Sequence, residues 1–194
     1  MERKASWPPS GSTRHYRCRL PTVKDAPVEI APYSPEWPAL FAVEAELLAT
    51  ALAPWLVGRI EHIGSTAVPG LSAKPVIDIM APVRSLAEAA AAIDPLRSLS
   101  YCYFPYKPTE MHWFCKPSPA HRTHHLHLVP ATSMLWQQRL AFRDALRMDR
   151  ALAYEYERLK VRLAAEHVDN REAYTEGKTL FIQSVLQKVA KGAA

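Results

Sequence analysis

Cysteine is scarce in this sequence: the chain has three, Cys18, Cys102 and Cys115, and they are far apart. An odd number of cysteines at such spacing matches neither a disulfide framework nor the close cysteine pairs of a structural zinc site. The pattern therefore argues against a disulfide-rich scaffold and against a cysteine-based metal site.

Long hydrophobic runs are also missing. No segment approaches the roughly 20 apolar residues that a membrane-spanning helix needs. The chain starts with basic residues, Arg3 and Lys4 among them, but no apolar segment follows, so the pattern is not that of a secretory signal. We therefore expect a cytoplasmic protein without a membrane partner.

The composition is that of a folded protein: 48% of the 194 residues are hydrophobic, enough for one domain with its own core. Residues 1–27 are rich in proline, serine and basic residues and lack periodicity, so we expect a disordered basic extension. Residues 28–192 are expected to form a single domain. The formal charge of +5 allows an anionic ligand and does not require nucleic acid, because much of the positive charge lies in the extension and the last helices.

The hydrophobic patterns predict an α+β fold: a mixed sheet with helices on one face and a C-terminal helical unit. We expect strands at 28–30, 59–63, 76–80, 101–106, 111–116 and 123–129, with Pro82 closing the third. We expect helices from Ser34 to about Leu52, at 86–99 with a break at Asp94-Pro95, from Ser133 to about Met148, at 151–167 and at 172–191.

The most informative stretch connects two of these strands. Strand 59–63 ends at Gly64-Ser65, where glycine permits a positive φ and a close backbone approach. Ser65 and Thr66 place hydroxyls beside the exposed N–H groups of this turn, a composition typical of an anion-binding loop. The sequence therefore predicts phosphate or nucleotide contact at Gly64, Ser65 and Thr66, with an ordinary tight turn as the alternative.

Asp78 lies in the middle of the apolar strand 76–80. A buried carboxylate costs free energy unless it is paired, hydrogen-bonded or bound to a metal ion. Two interpretations stay open: Asp78 is a catalytic or metal-binding carboxylate, or it is a structural acid that accepts backbone N–H groups. Lys74, just before this strand, either contacts a phosphate as a point charge or is simply solvated.

Histidines cluster in strand 123–129. Alternate residues of a strand share a face, so His125 and His127 lie on one face of the sheet. We predict that they converge with Asp78 on an open face and bind a divalent metal, with Glu61 as an added ligand. Two imidazoles and a carboxylate suit zinc, manganese or iron, whereas magnesium prefers oxygen ligands. The alternative is a pair of polar histidines on a half-exposed strand.

Several motifs resemble those of the GrpB family, also called UPF0157, from about residue 28 to about residue 189. They are residues 62–71, residues 74–79, residues 125–128, Phe142-Arg143-Asp144 with Leu146-Arg147, and Tyr156 with Leu159-Lys160. The family is similar to the nucleotidyltransferase superfamily, whose signature is a Gly-Ser turn followed by a strand with Asp-x-Asp or Asp-x-Glu. Gly64-Ser65 and Asp78 match this signature, and Met80 stands where the second carboxylate is expected.

The resemblance implies a nucleotidyltransferase-like fold and makes Arg143 a further candidate for nucleotide contact. It implies a metal-dependent nucleotidyltransferase that binds a nucleotide or other phosphate ligand with magnesium, manganese or zinc, and it leaves the acceptor open. Met80 favours an alternative, a non-catalytic domain that binds a ligand or a partner protein. Similar domains occur joined to dephospho-coenzyme A kinase, which suggests a link to coenzyme A biosynthesis. A third hypothesis is a metal-dependent phosphoester hydrolase that uses the histidine pair.

Overall fold

The computed structural model describes residues 27–192. Its strands are β1 (Glu61–Ile63), β2 (Ile77–Val83), β3 (Cys102–Phe104), β4 (His112–Pro117) and β5 (Arg122–Pro130). Its helices are α1 (Trp37–Leu52), α2 (Leu86–Ala89), α3 (Ile93–Ser98), α4 (Met134–Met148), α5 (Arg150–Glu166), α6 (Arg171–Glu176) and α7 (Thr179–Gly192). Short 3-10 turns cover Ser65–Ala67 and Ala90–Ala92.

The five strands form one mixed sheet in the order β1-β2-β5-β4-β3. The central pair, β2 and β5, is parallel, and every other neighbouring pair is antiparallel. A parallel pair needs a long crossover, which here contains α2, α3 and the β3–β4 hairpin. The fold is therefore α+β with a mixed sheet, as the sequence predicted.

One face of the sheet packs against α1, α2 and α3. Alternate residues of β2 point toward this face and are at most 2% exposed: Ile77, Ile79, Ala81 and Val83. They join the largest hydrophobic cluster together with Leu126 and Leu128 of β5 and Leu48 and Leu52 of α1. Burying one such aliphatic side chain contributes about 1.5–3 kcal/mol, so this layer holds the sheet and the first helices together.

The opposite face is covered in part by α4, which corrects the expectation of an open face. Met80 on this face is completely buried. It packs in a cluster with Ile63, Met111, Val129 and the α4 residues Leu135, Trp136 and Leu140. The apolar residues of this face, such as Met80, must be shielded from water, and α4 provides that cover.

Two strand predictions are wrong in detail. Residues 28–30 lie outside any strand, and the sheet-like contact nearby is a single bridge between Ala31 and Ala73. Pro82 does not close β2, which continues past it. Proline is tolerated there because β1 has already ended, and the Pro82 carbonyl accepts a hydrogen bond from the Val57 N–H at 3.1 Å.

Two predicted helix starts are confirmed by their caps. The Ser85 hydroxyl accepts the Glu88 N–H at the start of α2, and the Ser133 hydroxyl accepts the Trp136 N–H at the start of α4. The segment 86–99 breaks earlier than predicted, at the 3-10 turn before α3. Pro95 then falls in the first turn of α3, where its missing N–H costs no hydrogen bond.

The last predicted helix, 172–191, is in fact two helices. α6 ends at Glu176 and α7 begins at Thr179, with Gly177 and Lys178 between them. A Cβ on Gly177 would lie 2.6 Å from the Cδ2 atom of Leu163, so glycine allows this corner to pack against α5. Lys178 lies four residues after Tyr174, and its Nζ is 4.3 Å from the centroid of the Tyr174 ring.

The predicted extension, residues 1–27, lies outside the described residues except for Pro27. That residues 28–192 form a single domain stays a prediction. Within residues 27–192, no helix is long and apolar enough to cross a membrane.

A buried ion pair links α1 to β4 on the face of the sheet that packs against α1, α2 and α3. Lys116 Nζ donates to both carboxylate oxygens of Glu44, at 2.8 and 2.9 Å. The Tyr101 hydroxyl also donates to Glu44 Oε1, at 3.0 Å. The Glu44 side chain is 6% exposed, so its charge depends on these partners.

Removing one member of this pair should destabilise the fold. We expect Glu44→Gln to lower the free energy of unfolding by about 2–4 kcal/mol, because Lys116 then keeps a poorly solvated charge without a counter-charge. The control Glu166→Gln removes an exposed pair with Arg162, 3.9 Å apart, and should change stability by less than about 0.5 kcal/mol. Urea denaturation measures both, and equal effects would contradict the assigned role of Glu44.

Candidate functional site

Gly64 brings the backbone of the turn after β1 against Asp78. Its φ is +72° and its ψ is −173°, a combination that is essentially restricted to glycine. A Cβ built on Gly64 would lie 2.3 Å from Asp78 Oδ2. The turn and the carboxylate therefore form one compact unit, and only glycine fits between them.

The parallel register of β2 and β5 places Asp78 directly beside His125. His125 Nδ1 lies 2.9 Å from Asp78 Oδ1. Because a carboxylate only accepts, His125 carries its proton on Nδ1 and donates it. The other nitrogen, Nε2, is buried and has no hydrogen-bond partner in residues 27–192. The His125 ring also contacts the Trp113 ring, with centroids 5.1 Å apart.

Asp78 is surrounded by protein but is not sealed from solvent, since 30% of its side chain is exposed. Burial pushes the pKa of this carboxyl up. The hydrogen bond from His125 and the charge of nearby Lys74 act in the opposite direction and prevail. The pKa of Asp78 is therefore held well below its usual range, and the site contains a charged carboxylate at neutral pH.

His127 shares this face, but its ring is engaged elsewhere. Its Nδ1 lies 3.2 Å from the sulfur of Met111, and the residue is 7% exposed. Burial lowers the pKa of His127 to about 3, and the charge of Arg139 acts in the same direction. His127 is thus a neutral, buried imidazole two residues along β5 from the Asp78–His125 pair.

Glu61 contacts a guanidinium group and not Asp78. Arg143 Nη1 donates to Glu61 Oε2 at 2.6 Å and to the His62 carbonyl at 3.1 Å. The same guanidinium donates twice to Asp144, at 2.8 and 3.1 Å. Most of the donors of Arg143 are therefore used within the protein, where they hold β1 against α4.

The four predicted metal ligands do not gather around one point. Within residues 27–192, no three His, Cys, Asp or Glu side chains are placed to hold a metal ion. The structure brings Asp78 and His125 into contact, whereas His127 and Glu61 have other partners. A metal role for these residues stays a prediction, and a shell completed by ligand oxygens suits this donor set better than an all-protein site.

The two predicted phosphate-binding hydroxyls differ in their surroundings. Thr66 is 1% exposed, and its hydroxyl donates to the Val76 carbonyl at 3.3 Å. It also accepts from His62 Nε2 at 3.0 Å, so it ties the turn to the start of β2. Ser65 is half-buried and lies close to Tyr156, whose pKa burial raises to about 12 although Ser65 acts in the opposite direction. Of the two hydroxyls, that of Ser65 is the more accessible to a ligand.

A second arginine of α4 supports the same turn. Arg147 Nε donates to the Ala67 carbonyl at 2.9 Å. Together with the bond from Arg143 to the His62 carbonyl, this contact holds the chain on both sides of Gly64. The arginines of this motif are thus placed to fix the shape of the turn.

Two lysines from distant parts of the chain meet at Tyr174. Their Nζ atoms lie 5.0 Å (Lys74) and 4.3 Å (Lys178) from the centroid of the Tyr174 ring. The pKa of Lys178 is lowered to about 7 by burial and by the positive charges of Lys74, Arg139 and Lys160, although Asp78 opposes this. Several basic side chains therefore lie close enough to Lys178 and to Asp78 to influence their charge.

The sequence analysis missed Lys178, Tyr174 and Arg139 as site residues. The predicted helix at 172–191 did not show that Lys178 lies close to Lys74 in space. The available signal was Gly177, a glycine inside an otherwise regular helical pattern, which often marks an end or a packing constraint. Arg139 offered no signal of its own, because an arginine on an amphipathic helix is usually a surface residue.

Substituting Gly64 tests the contact with Asp78. We expect Gly64→Ala to lower the free energy of unfolding by about 2–4 kcal/mol, because it adds a clash with the carboxylate to the backbone strain. The control is Gly70→Ala: Gly70 has a similar φ of +78°, but no atom lies within 4 Å of its virtual Cβ. That variant should lose only about 1 kcal/mol. Urea denaturation compares the two, and equal losses would exclude a special contact at Gly64.

The structural role of Arg143 can be separated from that of Arg139, which lies four residues earlier on α4 and is exposed. We expect Arg143→Gln to cost about 2–4 kcal/mol of unfolding free energy, because Glu61 and Asp144 lose their partner. Arg139→Gln should change stability by less than about 0.5 kcal/mol. Thermal unfolding of both variants measures the difference. An Arg143→Gln protein as stable as the unsubstituted protein would contradict the role of Arg143 in holding β1 against α4.

Comparison with known proteins gives consistent results. A family model described as GrpB protein matches residues 27–188. A UPF0157 protein from Pseudomonas aeruginosa is 40% identical over 172 residues, which are 87% of this chain and 70% of that protein. The crystal structure of the conserved protein GrpB from Enterococcus faecalis matches with a TM-score of 0.77 at 31% identity, over 85% of this chain and 99% of that one.

A shorter similarity involves a protein named dephospho-CoA kinase from Mycolicibacterium paratuberculosis. It is 43% identical over 79 residues, which are 39% of this chain and 19% of that protein. The family model, by contrast, spans most of the residues that the structure describes. The chain therefore belongs to the GrpB family.

Proposed function

We propose that the site around Asp78 binds a phosphorylated small molecule, in the first place a nucleotide, together with a divalent cation. The observation that carries the proposal is the distribution of charge. The Asp78 carboxylate is 30% exposed and is influenced by Lys74. Lys178 is influenced by Asp78 and by the positive charges of Lys74 and Arg139. Such a surplus of like charge in a partly buried site is unfavourable by itself, and an anionic ligand relieves it.

The turn at Gly64-Ser65 supports the same proposal. With no side chain at Gly64, the backbone of the turn can lie directly against the Asp78 carboxylate. Ser65 adds a hydroxyl next to this backbone. A small, fixed turn of this kind is suited to contact a phosphate group closely.

A divalent cation could be held by Asp78 together with oxygen atoms of the bound ligand. Asp78 accepts one hydrogen bond from His125, and its remaining lone pairs are free for a cation. Magnesium is usually held by one or two carboxylates together with substrate phosphate oxygens and water. We propose that Asp78 holds the cation when the ligand supplies further oxygens; the bound cation would neutralise charge on the phosphates.

Nucleotidyl transfer is the reaction that this proposal favours, with Asp78 as the catalytic carboxylate. Its support is the resemblance of Gly64-Ser65 and Asp78 to the nucleotidyltransferase signature. Where that signature has a second acid, Met80 is completely buried in an apolar cluster. Glu61 lies opposite Met80 on β1, but it is bound to Arg143. The proposed enzyme therefore relies on a single carboxylate.

A binding role without catalysis is the second candidate. It is favoured by the buried Met80 and by the partial similarity to a protein named dephospho-CoA kinase. In that case the domain would bind a phosphorylated ligand or a partner protein related to coenzyme A synthesis and would not transform it. Pyrophosphate release from nucleoside triphosphates with manganese separates the candidates: Asp78-dependent release supports the enzyme, and binding without release supports the second candidate.

Substituting Asp78 tests the proposed binding site. We expect Asp78→Asn to reduce manganese-dependent ATP binding at least about tenfold, because the neutral amide is a poor ligand for the cation. Isothermal titration of ATP with and without manganese measures the metal-dependent part of the affinity. The control is Asp94→Asn, which removes an exposed acid paired with Arg97 and should leave binding unchanged.

Two results would contradict the proposed function. One is the absence of heat from any nucleoside triphosphate at millimolar concentration with magnesium or manganese. The other is an Asp78→Asn protein that binds manganese-ATP as tightly as the unsubstituted protein. Circular dichroism of the variant confirms that any loss of binding is not a loss of fold.

A further inference from the structure

We propose that Cys102 and Cys115 form a redox site, in which a disulfide oxidant converts the two thiols into a cross-strand disulfide and a thiol reductant restores them. The inference goes beyond the proposed function, because it needs neither Asp78 nor a bound ligand. The two cysteines lie on different strands, and the antiparallel pairing of β3 with β4 makes them neighbours. Their spacing in the sequence did not indicate a disulfide.

The register of β3 and β4 places Cys102 directly opposite Cys115. Directly opposite residues of an antiparallel pair have Cα atoms about 4.5 or 5.5 Å apart, depending on the hydrogen-bond pattern. A disulfide needs a Cα separation of about 4.4–6.8 Å, so both values allow it. Opposite residues also share one face of the sheet, and the two side chains therefore extend to the same side.

Both residues are thiols in this structure, and they differ in burial. Cys102 is partly buried, and its Sγ donates to the Pro117 carbonyl at 3.6 Å. A thiol is a weak donor, so turning the Cys102 side chain toward Cys115 costs little at this contact. Cys115 is completely buried. A dissolved oxidant therefore reaches Cys102 first.

Strand β3 is suited to the small movement that closure requires. The Cβ atoms of opposite residues lie about 4.5–5.5 Å apart, whereas a disulfide holds them at about 3.5–4.5 Å. β3 has three residues and lies at the edge of the sheet, next to β4. An edge strand has one neighbouring strand, so β3 can approach β4 without pulling another strand out of register.

The burial of the two thiols sets the order of the reaction with oxidised glutathione. The Cys102 thiolate attacks one sulfur of the oxidant; a new S–S bond forms, the S–S bond of the oxidant breaks, and one glutathione thiolate leaves. The Cys115 thiolate then attacks Sγ of Cys102 and displaces the second glutathione. Two protein thiols are oxidised, glutathione disulfide is reduced, and the two protons end on the two glutathione thiols.

The cysteine pair lies beside the candidate functional site. Cys115 is opposite His125 on β5, and His125 is beside Asp78 on β2. The four residues thus form one row across β3, β4, β5 and β2. Trp113, two residues before Cys115 on β4, contacts the His125 ring. The disulfide would therefore restrain the strand that packs against the hydrogen-bond partner of Asp78.

The test uses the full chain with Cys18→Ser, which leaves Cys102 and Cys115 as its cysteines. The folded protein is incubated with oxidised glutathione, alkylated with iodoacetamide and analysed by mass spectrometry. The protein should lose two hydrogens, carry neither glutathione nor alkyl groups, and yield one linked peptide containing both cysteines. Dithiothreitol should restore two thiols that can be alkylated after unfolding.

Single variants in the same background test the order of the two steps. Cys115→Ser should stop at a mixed disulfide between Cys102 and glutathione, because the second thiol is missing. Cys102→Ser should keep its thiol, because Cys115 is buried. Cys115→Ala repeats the first test should the serine variant unfold.

Thermal unfolding adds a second readout. The oxidised Cys18→Ser protein should melt several degrees higher than the reduced protein, since the disulfide restricts the unfolded chain. Neither single variant should show this rise after the same treatment.

Four results would overturn the inference. They are a Cys18→Ser protein that keeps both thiols, one that ends as a mixed disulfide with glutathione, linkage only between two copies of the chain, and a Cys102→Ser protein that reacts as readily as the Cys115→Ser protein. Loss of nucleotide binding in Asp78→Asn has no bearing on these outcomes, so the inference and the proposed function fail separately.

Discussion

The contact between Gly64 and Asp78 is the constraint on which the candidate site depends. The carboxylate occupies the space that any side chain at position 64 would need, so the turn and the acid can only exist together. The contact requires β1 to end at Ile63 and β2 to hold Asp78 in register with His125. The hydrogen bond from His125 then keeps the carboxylate charged in spite of its enclosure. The register of the sheet thus also determines the charge of the site, because it places His125 where it can donate to Asp78.

The sequence predicted those parts of the fold that local patterns determine. Alternation in β2 and β5 put Asp78 and His125 on one face, and the Ser133 cap located the start of α4. It could not predict the partners that tertiary packing supplies. From the sequence, Arg143 could equally have contacted a phosphate or Glu61. The two residues are 82 positions apart, and sequence spacing does not determine contacts over such a distance. The break at Gly177 depends on Leu163 of another helix and was invisible for the same reason.

The cations of the site fall into two groups with different physical roles. Arg143 and Arg147 bind carbonyl and carboxylate oxygens of the protein, so their charges are already compensated. Lys74 and Lys178 both lie near the ring of Tyr174, and burial, together with positive neighbours, lowers the pKa of Lys178. Planar guanidinium groups suit fixed, forked contacts, whereas ammonium groups serve as mobile point charges. The arginines therefore fix the shape of the turn.

The Glu61–Arg143 pair decides how much metal chemistry the protein itself can support. For Glu61 to become a second metal ligand, Arg143 would have to give up a 2.6 Å bond while only 10% of its side chain is exposed. Breaking such a pair costs about 3–5 kcal/mol, a large part of what a cation gains from one more carboxylate. With Met80 in the core, a cation at Asp78 must therefore take most of its ligands from the bound molecule. Affinity then depends on how many phosphate oxygens that molecule offers.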